Sequence, residues 1–105
     1  MFKLQPNPTF KVDVTIPRPE GDGTIKFEFK HKGRKALKEF YDSIGEGDSS
    51  RPDLDVVLDL VAGWSGVDVP FSPEALDDLL DNYPGSTGAI FEAYRKGLVE
   101  GKQKN

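Results

Sequence analysis

The chain contains no cysteine. That absence removes disulfides, thiol nucleophiles and thiolate metal sites at once, and it suits a reducing cytoplasm. It has one histidine, His31, so no second histidine is available as a ligand or proton carrier. No stretch approaches the roughly 20 apolar residues of a membrane span. Residues 1–10 carry Lys3, Pro6 and Pro8 without an apolar centre, which is not the pattern of a signal peptide. No internal repeat and no second domain are visible. The expectation is one domain over residues 1–105.

What is present supports a modest core. The chain is 36% hydrophobic, with seven Phe, three Tyr and a single Trp. Its net charge of −4 conceals a strong asymmetry. Residues 1–45 hold nine basic and six acidic side chains, residues 46–94 one and eleven, and residues 95–105 four and one. Such runs are most often solvated faces. They also allow a head-to-tail association in which the basic front of one copy meets the acidic middle of the next. Overall acidity argues against nucleic acid as a partner. The cluster of Lys26, Lys30, Lys32, Arg34, Lys35 and Lys38 dissents, but Phe27 and Phe29 alternate with it at strand spacing and so face a core.

The chain reads as strands followed by helices, an α+β fold. Phe10, Val12, Val14 and Ile16 alternate with polar residues, as do Ile25, Phe27 and Phe29, with a Pro/Gly-rich turn between. These runs, over about residues 9–31, predict a short N-terminal antiparallel strand pair with its apolar sets on one face. About four C-terminal helices, over about residues 35–100, must cover that face.

The first helix, about residues 35–44, carries Ala36, Leu37, Phe40, Tyr41 and Ile44 on one side. A flexible acidic loop follows through Ser50. The second has Ser50 as its cap and Pro52 near its first position. Its stripe is Leu54, Val57, Leu58 and Val61 at i, i+3, i+4, i+7, and Gly63 ends it. The third has Ser72 as N-cap, then Pro73 and Glu74, and Pro84 stops it. The fourth begins near Ser86, where Gly85-Ser86-Thr87-Gly88 reads as capping rather than anion binding. Gly97, unfavourable in a helix, predicts fraying there, and residues 101–105 read as a mobile tail.

No catalytic constellation emerges. His31 reads as a strand-end residue at the edge of the core rather than a general base. Asp53, Asp55 and Asp59 lack the glycine and closing glutamate of a calcium loop. Asp77, Asp78 and Asp81 read as a solvated helix face opposite the leucines. Gly21-Asp22-Gly23 is a turn, not a phosphate loop, and Ser65-Gly66 is not a nucleophile elbow. The expectation is a protein without catalytic residues, metal or cofactor, whose work is binding.

For binding, Trp64 is open to two readings. It plugs the core with its indole N–H on a backbone carbonyl, or it anchors a partner. Phe71, Tyr83, Phe91 and Tyr94 join it as candidate contact or groove-forming residues. If Phe71, Tyr83 and Tyr94 are exposed together, they form a contact patch.

The order of these elements resembles a known family. Trp64-x-Gly66-Val67, Val69-Pro70-Phe71-Ser72, Leu76, Leu79-Leu80, Tyr83-Pro84-Gly85, Ile90 and Ala93-Tyr94 are similar to the pattern of tail assembly chaperones from long-tailed bacteriophages or prophages. The basic end finishing in Asn105 fits as well. The resemblance covers residues 52–105 best.

It implies a small α+β protein that binds the long tape measure protein, keeps it soluble and assists tail tube polymerisation. It also implies self-association, action in the host bacterial cytoplasm and absence from the mature virion. The tail tube protein would be recruited through a longer, frameshifted form, for which Glu100-Gly101-Lys102 can be encoded by a slippery run. The rival readings are an acidic phage-encoded inhibitor that mimics nucleic acid against a basic host protein, and a small enzyme or metal protein built on the aspartate clusters.

Overall fold

A computed structural model of the chain describes residues 1–44 and 51–101. The expected acidic loop and the Ser50 cap fall outside the described residues, as does the tail beyond Gly101. The fold is α+β, with elements in the order β1 (Thr9–Ile16), β2 (Gly23–Lys30), α1 (Arg34–Ile44), α2 (Asp53–Leu58), β3 (Val61–Ser65), α3 (Pro73–Asn82) and α4 (Ser86–Arg95). A π-helical turn, Lys96–Glu100, extends α4.

β1 and β2 pair antiparallel, as their alternation predicts. The register sets Phe10 opposite Phe29, Val12 opposite Phe27 and Val14 opposite Ile25, so every inward side chain lies on one face. The outer face is polar and wet, as antiparallel sheets permit. It carries the cross-strand ion pair Lys26–Asp13 at 3.0 Å and a 2.7 Å hydrogen bond from Thr9 to Glu28.

The strand pair is joined by a third strand that the apolar spacing did not predict. β3 pairs antiparallel with β2, giving the order β1-β2-β3, with a register irregularity between Glu28 and Phe29. The second helix is correspondingly shorter than its stripe suggested. It ends at Leu58, and Leu60 and Val61 are both buried, at 0% and 2% exposure. Val61 opens β3 instead of closing the helical stripe, and Gly63 lies inside that strand. Pro52 is the N-cap of α2 and makes no side-chain capping bond.

Other local expectations hold. The Ser72 hydroxyl accepts from the Ala75 N–H at 3.0 Å, with Pro73 in the first turn of α3. On α1 the stripe narrows: Phe40 is buried and Leu37 and Ile44 half-buried, whereas Ala36 is exposed and Tyr41 is 52% exposed.

The helices cover the inner face of the sheet. α4 lies across β1, and α2 packs on α3, α4 and β3. The core joins Val12, Val14, Ile16, Phe27 and Phe29 of the hairpin to Val57, Leu60, Leu76, Ile90 and Tyr94 of the remainder. Gly97 does not mark fraying. A Cβ there would lie 2.8 Å from Val12 Cγ2 and 3.0 Å from Phe10 Cε2. The glycine therefore lets the end of α4 touch β1.

The basic cluster is spread over several local tasks. Lys26 pairs with Asp13, Lys38 with Asp42, and Lys30 donates to the Leu58 carbonyl at 3.4 Å. Lys32 lies over the Phe40 ring, 5.4 Å from its centroid. Residues 1–8 form an exposed N-terminal arm anchored at its base by a 2.9 Å bond from the His31 N–H to the Pro8 carbonyl. His31 thus sits just past the end of β2, at the edge predicted for it. Among the described residues no helix is long and apolar enough to cross a membrane.

Candidate functional site

The aromatic side chains form a continuous path from core to surface. Phe10, Phe29 and Tyr94 pack together, with Phe29 edge-on to Tyr94 at 5.2 Å between centroids. Phe27 stacks on Phe29 at 5.6 Å and meets Trp64 edge-on at 6.0 Å. Trp64 in turn meets Phe71 edge-on at 5.2 Å. Such pairs each contribute about 0.5–1.5 kcal/mol beyond the area they bury.

Trp64 makes the backbone bond expected of a plug. Its indole N–H donates to the Val69 carbonyl at 3.0 Å, closing the turn after β3, and its ring is half-buried against Phe27. Gly66, at φ +83, supplies the left-handed residue that this turn needs. The other edge of Trp64 lines a cleft of about 280 Å³ together with Val67, Val69, Leu79 and Tyr83. Asp68 and Asp78 stand on the rim. Val67, Asp68, Leu79 and Tyr83 also border a neighbouring cleft of about 490 Å³ that runs to Ile16 and Arg18. Phe71 is half-buried behind Trp64 and supports it from below.

The remaining candidates lie elsewhere. Tyr94 is 2% exposed and belongs to the core, so Phe71, Tyr83 and Tyr94 do not form one exposed patch. Its hydroxyl donates to the Lys30 carbonyl at 2.8 Å. Burial, with a smaller contribution from Tyr41, pushes its pKa up to about 12. Phe91 is half-buried, 6.4 Å from the Phe40 ring. Phe91 and one side of Tyr94 line a second apolar cleft, about 380 Å³, between α1 and α4. Phe40, Tyr41, Ile44 and Gly88 complete its walls, with Glu92 and Arg95 at the edge.

The five sequence candidates therefore divide into a Trp64–Phe71–Tyr83 group and a Phe91–Tyr94 group. Sequence reasoning missed Tyr41, Val69 and Leu79 as lining residues. For Tyr41 a signal existed, since the apolar stripe of α1 is wider than a single core contact requires.

Charged groups pair at the edge of the α1–α4 cleft and between α1 and α2. At the edge of the α1–α4 cleft Arg95 donates to Glu92 at 3.1 Å and to Glu100 at 3.0 Å. The Arg95 bond holds the Glu92 carboxyl below the usual carboxylate range. Arg51 pairs with Asp55 and Asp59, each at 2.8 Å, and donates to Ser43 at 2.7 Å, which ties the end of α1 to α2. Those two hydrogen-bonded carboxylates raise its pKa above the ordinary arginine value.

Asp77, Asp78 and Asp81 are exposed on α3. Among the described residues no group of three His, Cys, Asp or Glu side chains is placed to hold a metal ion. Ser86 is fully buried rather than capping α4 or facing an anion, and its hydroxyl donates to the Leu79 carbonyl at 3.4 Å.

The geometry offers open apolar clefts and no assembled set of catalytic groups among the described residues. A family model described as phage tail assembly chaperone matches residues 1–105. No curated protein matches the chain, and no solved structure does.

Proposed function

The chain belongs to the phage tail assembly chaperones, and from that premise we propose that it binds segments of the tape measure protein and keeps them soluble until the tail tube forms around them. The observation that carries this reading is the apolar cleft between α1 and α4. Two helices flank it, Phe40, Ile44 and Phe91 line it, and Tyr41 stands at its rim with half its surface in water.

A groove of that kind takes the apolar face of an amphipathic helix. Its edge charges are paired with one another, so the seat is selective for apolar surface rather than for one sign of charge. A long chain with repeated apolar stripes would bind many copies. Each contact can be weak, because linkage on one chain raises the effective concentration of the next. No nucleotide is required for such holding.

On this reading the protein works without enzymatic chemistry in the host cytoplasm and leaves before the virion matures. The tube protein is recruited by a longer frameshifted form. The Trp64–Tyr83 cleft is a second contact surface.

The test is co-expression with the tape measure protein of the same genome, followed by a solubility assay and pull-down. Soluble tape measure protein carrying several copies of this chain supports the reading. Insoluble tape measure protein, with the chain eluting alone even in its longer form, overturns it.

A further inference from the structure

We propose that the groove between the β1–β2 turn and α3 seats a segment of a partner protein carrying an aspartate or glutamate at one end of a short apolar run, with Arg18 reading the carboxylate. The two clefts beside β3 share Val67, Asp68, Leu79 and Tyr83 and so form one continuous groove. Ile16 and Ile25 extend its apolar floor toward the hairpin turn, and Trp64 and Val69 extend it the other way. Ile25, Val67, Leu79 and Tyr83 are only half-buried, which leaves apolar surface open to a ligand.

Arg18 stands at the hairpin end of the groove and is held there. Its Nε donates to the Gly21 carbonyl at 2.8 Å, and the Gly21 N–H returns a bond to the Arg18 carbonyl at 3.1 Å. The guanidinium lies against Gly23, where a Cβ would stand 3.2 Å from both Cζ and Nε. A side chain already restrained in this way loses less freedom when it binds.

Those contacts leave Nη1 and Nη2 for a ligand. Among the described residues no carboxylate forms an ion pair with Arg18. Glu20 and Asp22 flank it in sequence, and Asp68 borders the same cleft, yet none of them engages it. A planar fork beside apolar surface matches a carboxylate beside apolar side chains. Asp78, at the Trp64 end, repels a carboxylate there, so the acid has one favourable end. The chain's own N-terminal arm does not fit this description, because residues 1–8 carry Lys3 and no acidic residue.

The groove contains the second contact surface proposed above and rests on that reading, but its probe is a synthetic peptide, so the client of the α1–α4 cleft does not enter the result. The test is titration of the full chain with the blocked peptide acetyl-Glu-Leu-Leu-Ser-Leu-amide and with its Gln counterpart. Fluorescence of Trp64, the single tryptophan, reports binding. Wild type should bind the Glu peptide at least about tenfold more tightly than the Gln peptide, as a hydrogen bond between charged groups requires. Added salt should shrink that preference.

Arg18 is exposed on a turn, so Arg18→Gln leaves the core intact. It should bind both peptides with the affinity that wild type shows for the Gln peptide. Arg18→Lys keeps the charge without the fork and should retain part of the preference. Tyr41→Asp, which alters the α1–α4 cleft, should match wild type. If tape measure capture fails while the peptide preference holds, the α1–α4 reading falls and this one stands. A flat titration with the Glu peptide overturns the proposal, as does equal affinity of wild type for the two peptides. So does a preference that survives in Arg18→Gln, or a peptide of residues 1–8 that binds as tightly as the Glu peptide.

Discussion

The Tyr94 hydroxyl and the Lys30 carbonyl lie 2.8 Å apart across 64 residues of sequence, and their hydrogen bond fastens α4 to the end of β2. The same burial that protects this bond raises the tyrosine pKa from 10.0 to about 12. The folded chain therefore keeps a proton that the unfolded chain releases between those values.

Stability from this group is complete below pH 10 and is lost as the pH rises toward 12. Integrated over the window, the loss is roughly 2–3 kcal/mol. Denaturant melts at stepped alkaline pH should show that decline in wild type. Tyr94→Phe should flatten it while costing about 1 kcal/mol at neutral pH for the missing hydrogen bond. An unchanged alkaline slope in the variant would place the titration elsewhere.

Gly97→Ala should destabilise the protein even though alanine favours helix by roughly 1 kcal/mol. The new methyl would meet Val12 Cγ2 at 2.8 Å, and Val12 is itself buried and stiff. Overpacking of this kind costs about 1–3 kcal/mol, so the net change should be a loss. Gly88→Ala, where a Cβ meets nothing within 4 Å, serves as the control in the same melting experiment and should be neutral or stabilising.

Ser72→Ala removes the hydroxyl that accepts from the Ala75 N–H and should cost about 1 kcal/mol. Ser72→Asp keeps an acceptor and adds negative charge at the positive end of α3, so it should restore most of the loss. Equal destabilisation by both substitutions in urea melts would show that the hydroxyl acts by packing rather than as a cap.

Tyr41→Asp places a charge at the mouth of the α1–α4 cleft on a side chain that is 52% exposed. The melting temperature should stay within a degree or two of wild type, while tape measure capture falls severalfold. If capture and melting temperature fall together, Tyr41 supports the fold rather than the client.

Arg51→Ala should free the end of α1 from α2 by removing its bonds to Asp55, Asp59 and Ser43. Hydrogen exchange at the last turn of α1 should quicken relative to wild type. Because the pairs are exposed and screened, the difference should shrink at high salt. Arg51→Lys should rescue only part of it, since an ammonium cannot span three partners in one plane.

Local chemistry explains which parts of this structure were legible in the sequence. The hairpin announced itself because its period-two pattern is set by side chains within the two runs. The start of α3 did so because Ser72, Pro73 and Glu74 act within one turn. β3 was hidden because its five residues become a strand only through pairing with β2, a distant partner. Leu54, Val57, Leu58 and Val61 meanwhile imitate a helical stripe. The stronger signal was the run Ala62-Gly63-Trp64-Ser65-Gly66, which holds little that sustains a helix.

Among the site residues, Trp64 is legible as a core plug or a partner anchor, and its indole bond to the Val69 carbonyl is the one the plug reading expects. Tyr94 was indistinguishable from Phe91 by spacing alone. The buried side of α4 runs through Ser86, Ile90 and Tyr94, which leaves Phe91 half-buried beside it.

The chain order of the core also sets a schedule for synthesis. The β1–β2 hairpin leaves the ribosome first, yet the cover for Phe27 and Phe29 includes Trp64 and Tyr94, which arrive much later. A hairpin alone is marginal in water. Its apolar face therefore waits uncovered until translation has passed Tyr94, and truncated products of this gene should be insoluble or quickly degraded.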